Sequence, residues 1–264
     1  VPDEFWAEIE PVLPVVQRRF HHPGRRRVPD RVVLAGLVYI VKTGIGFADL
    51  PRGLVGCSGY TCWRRMHEWL EAEVFDIVHE RILDRLRALD GLELDTAVVD
   101  GSHVRAKRGE AVGPSPVDRG RAGSKHHLIT DGTGIPLAVI LTGGNTHDST
   151  QLFPLLEAIP VIRGKRGRPF TRPRWLFADR AYDSEEHRTG LRKRGIVPKI
   201  ARRNTSHGSG LGKHRWVVER GFAWLHGFKR LRTRYERRAD THLGFLKLAC
   251  VIICHRRLQQ LILQ

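Results

Sequence analysis

The chain has 264 residues, enough for one large domain or for a small domain joined to a medium one. A hydrophobic content of 41% excludes a disordered polymer. No run of residues approaches the length of an apolar membrane span, and Val1 to Glu10 carries acids where a secretory signal has an apolar core. A soluble, cytoplasmic chain with no membrane partner is therefore expected. The net charge of +17 speaks of partners and not of fold. Nucleic acid rewards such an excess by releasing condensed counterions. Arginine also outnumbers lysine, and its planar fork suits phosphate. A GC-rich coding sequence would account for arginine over lysine, but not for base over acid.

In chain order, Asp3 to Leu13 places Phe5, Trp6, Ile9 and Leu13 at helical spacing. A basic loop, His21 to Pro29, carries Arg25, Arg26 and Arg27. Asp30 is placed to cap a helix over Arg31 to Thr43, ended by Gly44 and Gly46. Helices over Thr61 to Leu70 and Val74 to Leu89 follow. Short helices with glycine turns fit a helix-turn-helix type DNA reader, with Thr61 to Leu70 as its recognition helix through Arg64 and Arg65. A bundle that only packs would read the same.

From residue 92 the pattern changes. Thr96 to Asp100 is a short apolar strand ending in a carboxylate, followed by a basic, glycine-rich loop, Gly101 to Gly123. Lys125 to Asp131 and Pro136 to Thr142 read as a hairpin. Then come a helix over Ser149 to Ile159, a Pro/Gly/Arg loop, and a strand over Arg174 to Asp179 that again ends in a carboxylate. A helix over Ser184 to Gly195, a strand over Ile196 to Ala201, a Gly/Ser stretch from Arg202 to Gly212, and long helices over Lys213 to Arg234 and His242 to Leu263 complete the chain. The expected fold is a helical domain, 1–91, followed by an α/β domain, 92–264, with a mixed sheet flanked by helices. Cys57, Cys62, Cys250 and Cys254 lack the tight spacing of a zinc knuckle and read as reduced core residues.

Two neighbouring strands would bring Asp100 and Asp179 together, and a crossing helix would add Glu219. Three converging carboxylates raise one another's pKa unless a cation sits among them. All-oxygen ligands of this charge suit Mg²⁺ or Mn²⁺. A pair of such ions serves phosphoryl transfer by activating the attacking oxygen and stabilising the leaving one. Spacing alone reads equally as three separate surface carboxylates.

Three blocks, "VVDGSHVRA" around Asp100, "LFADRAYDS" around Asp179 and "HRWVVERGFAWLHGFKRLRTRYE" around Glu219, resemble the bacterial insertion-sequence transposases of the insertion-sequence-five type. The leading "DEFWAEIEPVLP" and "GIGFADLP" are similar to that group's N-terminal helical domain. The resemblance implies a ribonuclease-H-like catalytic core. It also implies that Asp100, Asp179 and Glu219 are the metal-binding catalytic triad, holding two Mg²⁺ or Mn²⁺ ions. The implied partners are double-stranded DNA, as element ends and as target, and a second copy of the chain in the complex that joins two ends. In the family's third block Arg215 and Glu219 match, whereas Gly212 stands at the Tyr position and His226 at the Lys position. Lys229 or Arg230 would then replace the missing Lys. At 100° per residue Arg215, Glu219, His226 and Arg230 share one helical face. The interval from Asp179 to Glu219 leaves no room for the large β insertion of some relatives.

Further DNA contacts are expected at His103 and Lys107, and at Arg163, Lys165, Arg166 and Arg168 in "RGKRGRP". That loop resembles an AT-hook and reads as a minor-groove arm or as a nonspecific phosphate binder. Asn145, His147 and Asp148 in "GGNTHDS" are expected beside the site, and Asp183 is expected to cap a helix. The rival readings are a structure-selective, metal-dependent nuclease of the same fold and a DNA-binding repressor that has lost catalysis.

Overall fold

The computed structural model describes residues 1–263 apart from 18, 19, 23, 117 and 204–211, with only the backbone described for 212–215. The Gly/Ser stretch thus lies mostly outside the described residues, as does the side chain of Arg215.

The N-terminal helices are α1 (Asp3–Ile9), α2 (Asp30–Thr43), α3 (Arg52–Val55), α4 (Gly59–Glu71) and α5 (Val74–Ala88). Asp30 does not cap α2. It is the first helical residue after Pro29, and its carboxylate is spent on Arg65 and Arg27. Ser58 caps α4 by accepting from the Thr61 amide at 3.2 Å.

The sheet contains β1 (Thr96–Ala106), β2 (Gly113–Pro114), β3 (Ala122–Asp131), β4 (Pro136–Gly143), β5 (Trp175–Ala178), β6 (Val197–Ile200) and β7 (Thr233–Arg234). The path runs β2-β3-β1-β5-β6, with β4 on β3 and β7 on β1. β1 is twice the length expected. Ser102 to Ala106, expected in a loop, is held instead by antiparallel pairing with β3 as far as Arg105↔Gly123. On its other edge β1 meets two parallel partners in turn. Thr96 to Val98 pair with β5, and Arg105 and Ala106 pair with β7. Between those two pairings the sheet forks, and Asp100 lies in the fork.

The remaining helices are α6 (Leu152–Glu157), α7 (Glu185–Lys193), α8 (Gly212–Gly227) and α9 (Ala239–Ile262). A 3₁₀ turn, Asp148–Gln151, leads into α6, which accepts Pro154 in its first turn. α8 ends at Gly227, well short of Arg234. Phe228 is extended, and Arg232 Nε donates to the orphan carbonyl of His226 at 2.7 Å.

α9 is buried along most of its length, packing against α5 and α4 and against β4. The apolar core therefore runs unbroken from the N-terminal helices into the sheet. All four cysteines are buried and free. No described helix is long and apolar enough to cross a membrane.

Candidate active site

Strand register decides which carboxylates share a face. Asp100 lies two residues beyond Val98 and Asp179 two beyond Phe177, and Val98 and Phe177 are parallel partners. The two carboxylates thus stand level on neighbouring strands, Asp100 midway along β1 and Asp179 just past the end of β5. Asp100 is also the antiparallel partner of Leu128, so the two point to the same face. That face is where α8 packs. A Cβ on Gly221 would lie 3.0 Å from Leu128 Cδ2 and 3.1 Å from Thr130 Cγ2. α8 buries Val217, Val218, Gly221, Phe222 and Leu225 and leaves Glu219 exposed at the margin of that arc. Glu219 therefore lies on the helix laid over the face that carries Asp100.

The backbone holds the two aspartates in part. Asp100 Oδ1 accepts from the Gly101 amide at 2.8 Å. Asp179 caps a 3₁₀ turn, Arg180–Tyr182, and accepts from the Ala181 amide at 2.8 Å. An all-carboxylate donor set suits a hard divalent cation. Among the described residues, no three His, Cys, Asp or Glu side chains stand close enough to hold one.

Asp148 lies on the opposite face. Its Oδ1 is 2.5 Å from where a Gly101 Cβ would be, and it pairs with Lys125 Nζ at 3.1 Å and faces His127 Nδ1 at 3.6 Å. The His103 ring fills the space beside Gly123 on the same side. Burial, with Lys125 beside it, pushes the His103 pKa down. The "GGNTHDS" block is therefore adjacent to β1 but turned away from Asp100, and His103 goes with it.

Other competing carboxylates have structural employment. Asp131 is fully buried and accepts from the amides of Glu93, Thr133 and Ile135. Asp183 does not cap α7; Ser184 does, while Asp183 grips Arg188 at 2.6 Å.

Two expected DNA contacts are corrected. Arg65 is 1% exposed and ion-paired with Asp30 and Glu68, so it cannot reach a phosphate. Arg230 lies beyond the end of α8, is 7% exposed, pairs with Glu236 at 2.6 Å and donates to the carbonyls of Gly44 and Ile45. The expected helical stripe therefore stops at His226, and Lys229 remains exposed.

The "RGKRGRP" loop is not a free arm either. Arg163 pairs with Glu80 and Lys165 with Asp90, while Arg87 donates to the carbonyls of Ile162 and Arg168. Arg166 and Arg168 point outward. Lys107 is exposed, its Nζ 5.3 Å from the centre of the Tyr235 ring.

Arg25, Arg26, Arg27 and Arg64 line one cavity of about 740 Å³ with Arg52, Ser58 and Thr61. Arg27 is partly neutralised by Glu68 at 2.6 Å.

Sequence reasoning missed the buried chain Arg230–Glu236–His242–His126, in which His242 and His126 nitrogens meet at 2.9 Å. Arg230, Glu236 and His242 are six residues apart in turn, a spacing of no regular element, and His126 is 116 residues from His242. It also passed over Trp216, Arg220 and Trp224, whose four-residue spacing is visible in the sequence.

A mixed sheet with two level aspartates under a crossing helix defines a ribonuclease-H-like class of fold. The family model "Transposase DDE domain" matches residues 92–254, and a model of the IS4/5 transposase family matches 1–79. The chain belongs to the bacterial insertion-sequence DDE transposases. It is a DNA transposase, an enzyme of DNA cleavage and strand transfer, and its family is divalent-metal dependent. It is 64% identical over 148 residues to the "Putative transposase for insertion sequence element IS402" of Burkholderia cepacia, covering 56% of this chain and 70% of that one. It is 32% identical over 139 residues to the transposase for insertion sequence element IS1106 of Neisseria meningitidis serogroup B, covering 49% and 42%. The fold is similar to that of piggyBac transposase in a synaptic complex with hairpin DNA, at TM-score 0.51 and 13% identity over 96% of this chain and 71% of that one.

Proposed function

We propose that Asp100, Asp179 and Glu219 are the catalytic triad, acting on DNA at the ends of an insertion sequence. The observation that carries this is the shared face: two aspartates level with each other on neighbouring strands, under the helix that bears Glu219. Asp100, Asp179 and the exposed Glu219 of α8 would together hold Mg²⁺ or Mn²⁺. When bound, one or two such ions supply activation of the attacking oxygen and charge neutralisation at the scissile phosphate.

The residues of the chain position the reactants. A groove of about 450 Å³ lies between β1 and α8, lined by Val104, Ala223, His226, Gly227 and Arg232, with His103 also on its border. It takes the strand to be cut. Water adds to phosphorus as the 3′ oxygen leaves and takes up a proton, which frees a 3′-OH. That hydroxyl loses its proton, attacks a target phosphodiester in line and displaces the target's own 3′ oxygen.

Residues 1–91 form the unit that reads the terminal inverted repeats, with Arg25, Arg26 and Arg64 on backbone phosphates. Residues 92–264 form the catalytic unit. Two copies act together, because two ends are joined in one event.

The test is strand transfer on labelled DNA carrying the element's own ends, with Mg²⁺, for wild type and Glu219→Gln. Joined products from wild type alone, with DNA binding equal in both, support the triad. Cleavage without joining supports a nuclease, and equal activity in both proteins removes Glu219 from the site.

A further inference from the structure

We propose that the cleft between the C-terminal half of α8 and the end of α9 binds one unpaired nucleotide of the DNA strand held at the catalytic face. The inference rests on the reading above and adds a base-binding site to it.

The cleft has a volume of about 370 Å³, within the range of small-molecule pockets. Its walls are Trp224, Arg256, Arg257 and Gln260, and its floor is Ile135 and Ile253. Ile135 and Ile253 are buried, so the floor is set by the core and not by mobile side chains. Trp224 keeps 37% of its surface exposed, which leaves ring area for a partner to stack on. It is held in place: the Arg220 guanidinium lies 4.5 Å from the Trp216 ring centre and 5.1 Å from that of Trp224, and donates to the Thr133 carbonyl. Neither Arg256 nor Arg257 has an ion-pair partner among the described residues, and Arg256 is steadied over the Phe228 ring at 5.6 Å.

An apolar floor, an indole wall, an amide and two unneutralised guanidiniums match a nucleotide group by group. The base stacks on Trp224, Gln260 reads its edge, and the arginines hold the phosphate.

The cleft also adjoins the catalytic face. Ala223 and Gly227 line both this cleft and the groove beside β1, so only a ridge of small side chains separates the two. A Cβ at Gly227 would meet nothing within 4 Å, which leaves the ridge low enough for a base to cross. Ala223 follows Glu219 by four residues, roughly 6 Å along the helix axis. Trp224 itself stands about 140° round the helix from Glu219, so a strand held at the triad reaches the cleft by crossing this ridge. Unstacking it from a duplex costs energy, so the site favours a base already unpaired.

The test is fluorescence anisotropy in EDTA with two labelled duplexes of one sequence. Each carries a three-nucleotide 3′ overhang, one with bases and one abasic, so that charge is matched. Wild type is expected to bind the base-bearing overhang about tenfold tighter. Trp224→Ala should lose that preference and keep its affinity for the abasic duplex, while Trp224→Phe should retain the preference. Arg256→Gln with Arg257→Gln should weaken binding of both overhangs. Melting curves confirm that each variant is folded. A wild-type protein with no preference, or a Trp224→Ala protein that keeps it, overturns the proposal. So does a Trp224→Ala protein whose only change is in its association with a second copy. Because no metal is present, the result is independent of the triad. Wild type that binds neither duplex would defeat the underlying reading instead.

Discussion

Arg64 and Arg65 are adjacent in sequence and opposite in fate. Arg65 turns inward, and burial pulls its pKa down to about 10, with Arg27 adding to that shift and Glu68 opposing it. Removing one partner of a buried ion pair strands the other. Asp30 and Glu68, however, are partly exposed and keep Arg27, so Arg65→Met should lower unfolding free energy by about 1–3 kcal/mol in urea melts. Arg64 is 57% exposed in its side chain and faces the arginine-lined cavity. Arg64→Ala should leave the melt unchanged and reduce by about one the slope of log affinity for DNA against log salt. The reverse pattern would mean that the two roles have been exchanged. Composition places arginines on this helix without saying which of them reaches DNA. That choice is made by Asp30 on α2 and by Glu68 three residues on in α4, and it needs tertiary contacts to be seen.

At the scale of elements, the docking of α8 sets the site. Gly221 allows the helix to lie against Leu128 and Thr130, with no room for a larger side chain. Gly221→Val should push α8 outward at a cost of about 1–3 kcal/mol. It should reduce strand transfer far more than DNA binding, because Glu219 moves with the helix. Activity equal to wild type would show that the α8-to-sheet distance does not matter. Most elements were legible in the sequence because hydrophobic periodicity is local: α2, α4, α5, the β3–β4 hairpin and α9 fall close to their expected bounds. Two bounds were not. β1 runs on through Ala106 because β3 and β7 pair with it, which no single strand announces. α8 stops at Gly227 because Arg230 is drawn away to Glu236 and the Gly44–Ile45 carbonyls, so the expected helical stripe lost its last member. Of the candidate site, Asp179 was legible as a strand end, whereas Asp100, expected at one, lies midway along β1. The third carboxylate rested on family resemblance, since nothing local distinguishes Glu219 from other helical acids.

For the whole molecule, buried titratable groups in both layers tie stability to pH. Burial pushes His79 down to about 4, opposed in part by its bond to the Pro136 carbonyl, and pushes His127 down to about 4, opposed in part by Asp148. Their contribution is present above about 6.5 and is lost as pH falls toward 4. Burial also pushes Asp131 up to about 6, so its contribution has the opposite sign, present below 3.8 and lost as pH rises through 6. Burial tends to raise Glu236 as well, but His242 and Arg230 hold it at about 2, so a further loss follows between 4.5 and 2. The two histidines outweigh the one aspartate, and urea midpoints should fall from pH 6.5 to 4. His79→Gln, which can keep the bond to Pro136, should flatten that fall. A midpoint that rises on acidification would contradict the assignment of His79 as a buried neutral ring.

The division of carboxylates between the two faces of β1 is the central claim, and strand transfer by Asp100→Asn beside Asp148→Asn tests it most directly. Both substitutions keep shape and remove charge one residue apart in space, on opposite sides of one strand. Asp100→Asn should abolish joined products, a loss of at least about a thousandfold, as expected when a group central to transition-state charge is removed. Asp148→Asn should stay within about tenfold of wild type in joining, at a cost of about 1–2 kcal/mol in the melt for the buried Lys125 left without its charge partner. Loss of joining in a folded Asp148→Asn protein, with activity retained by Asp100→Asn, would put the catalytic face on the other side of the sheet.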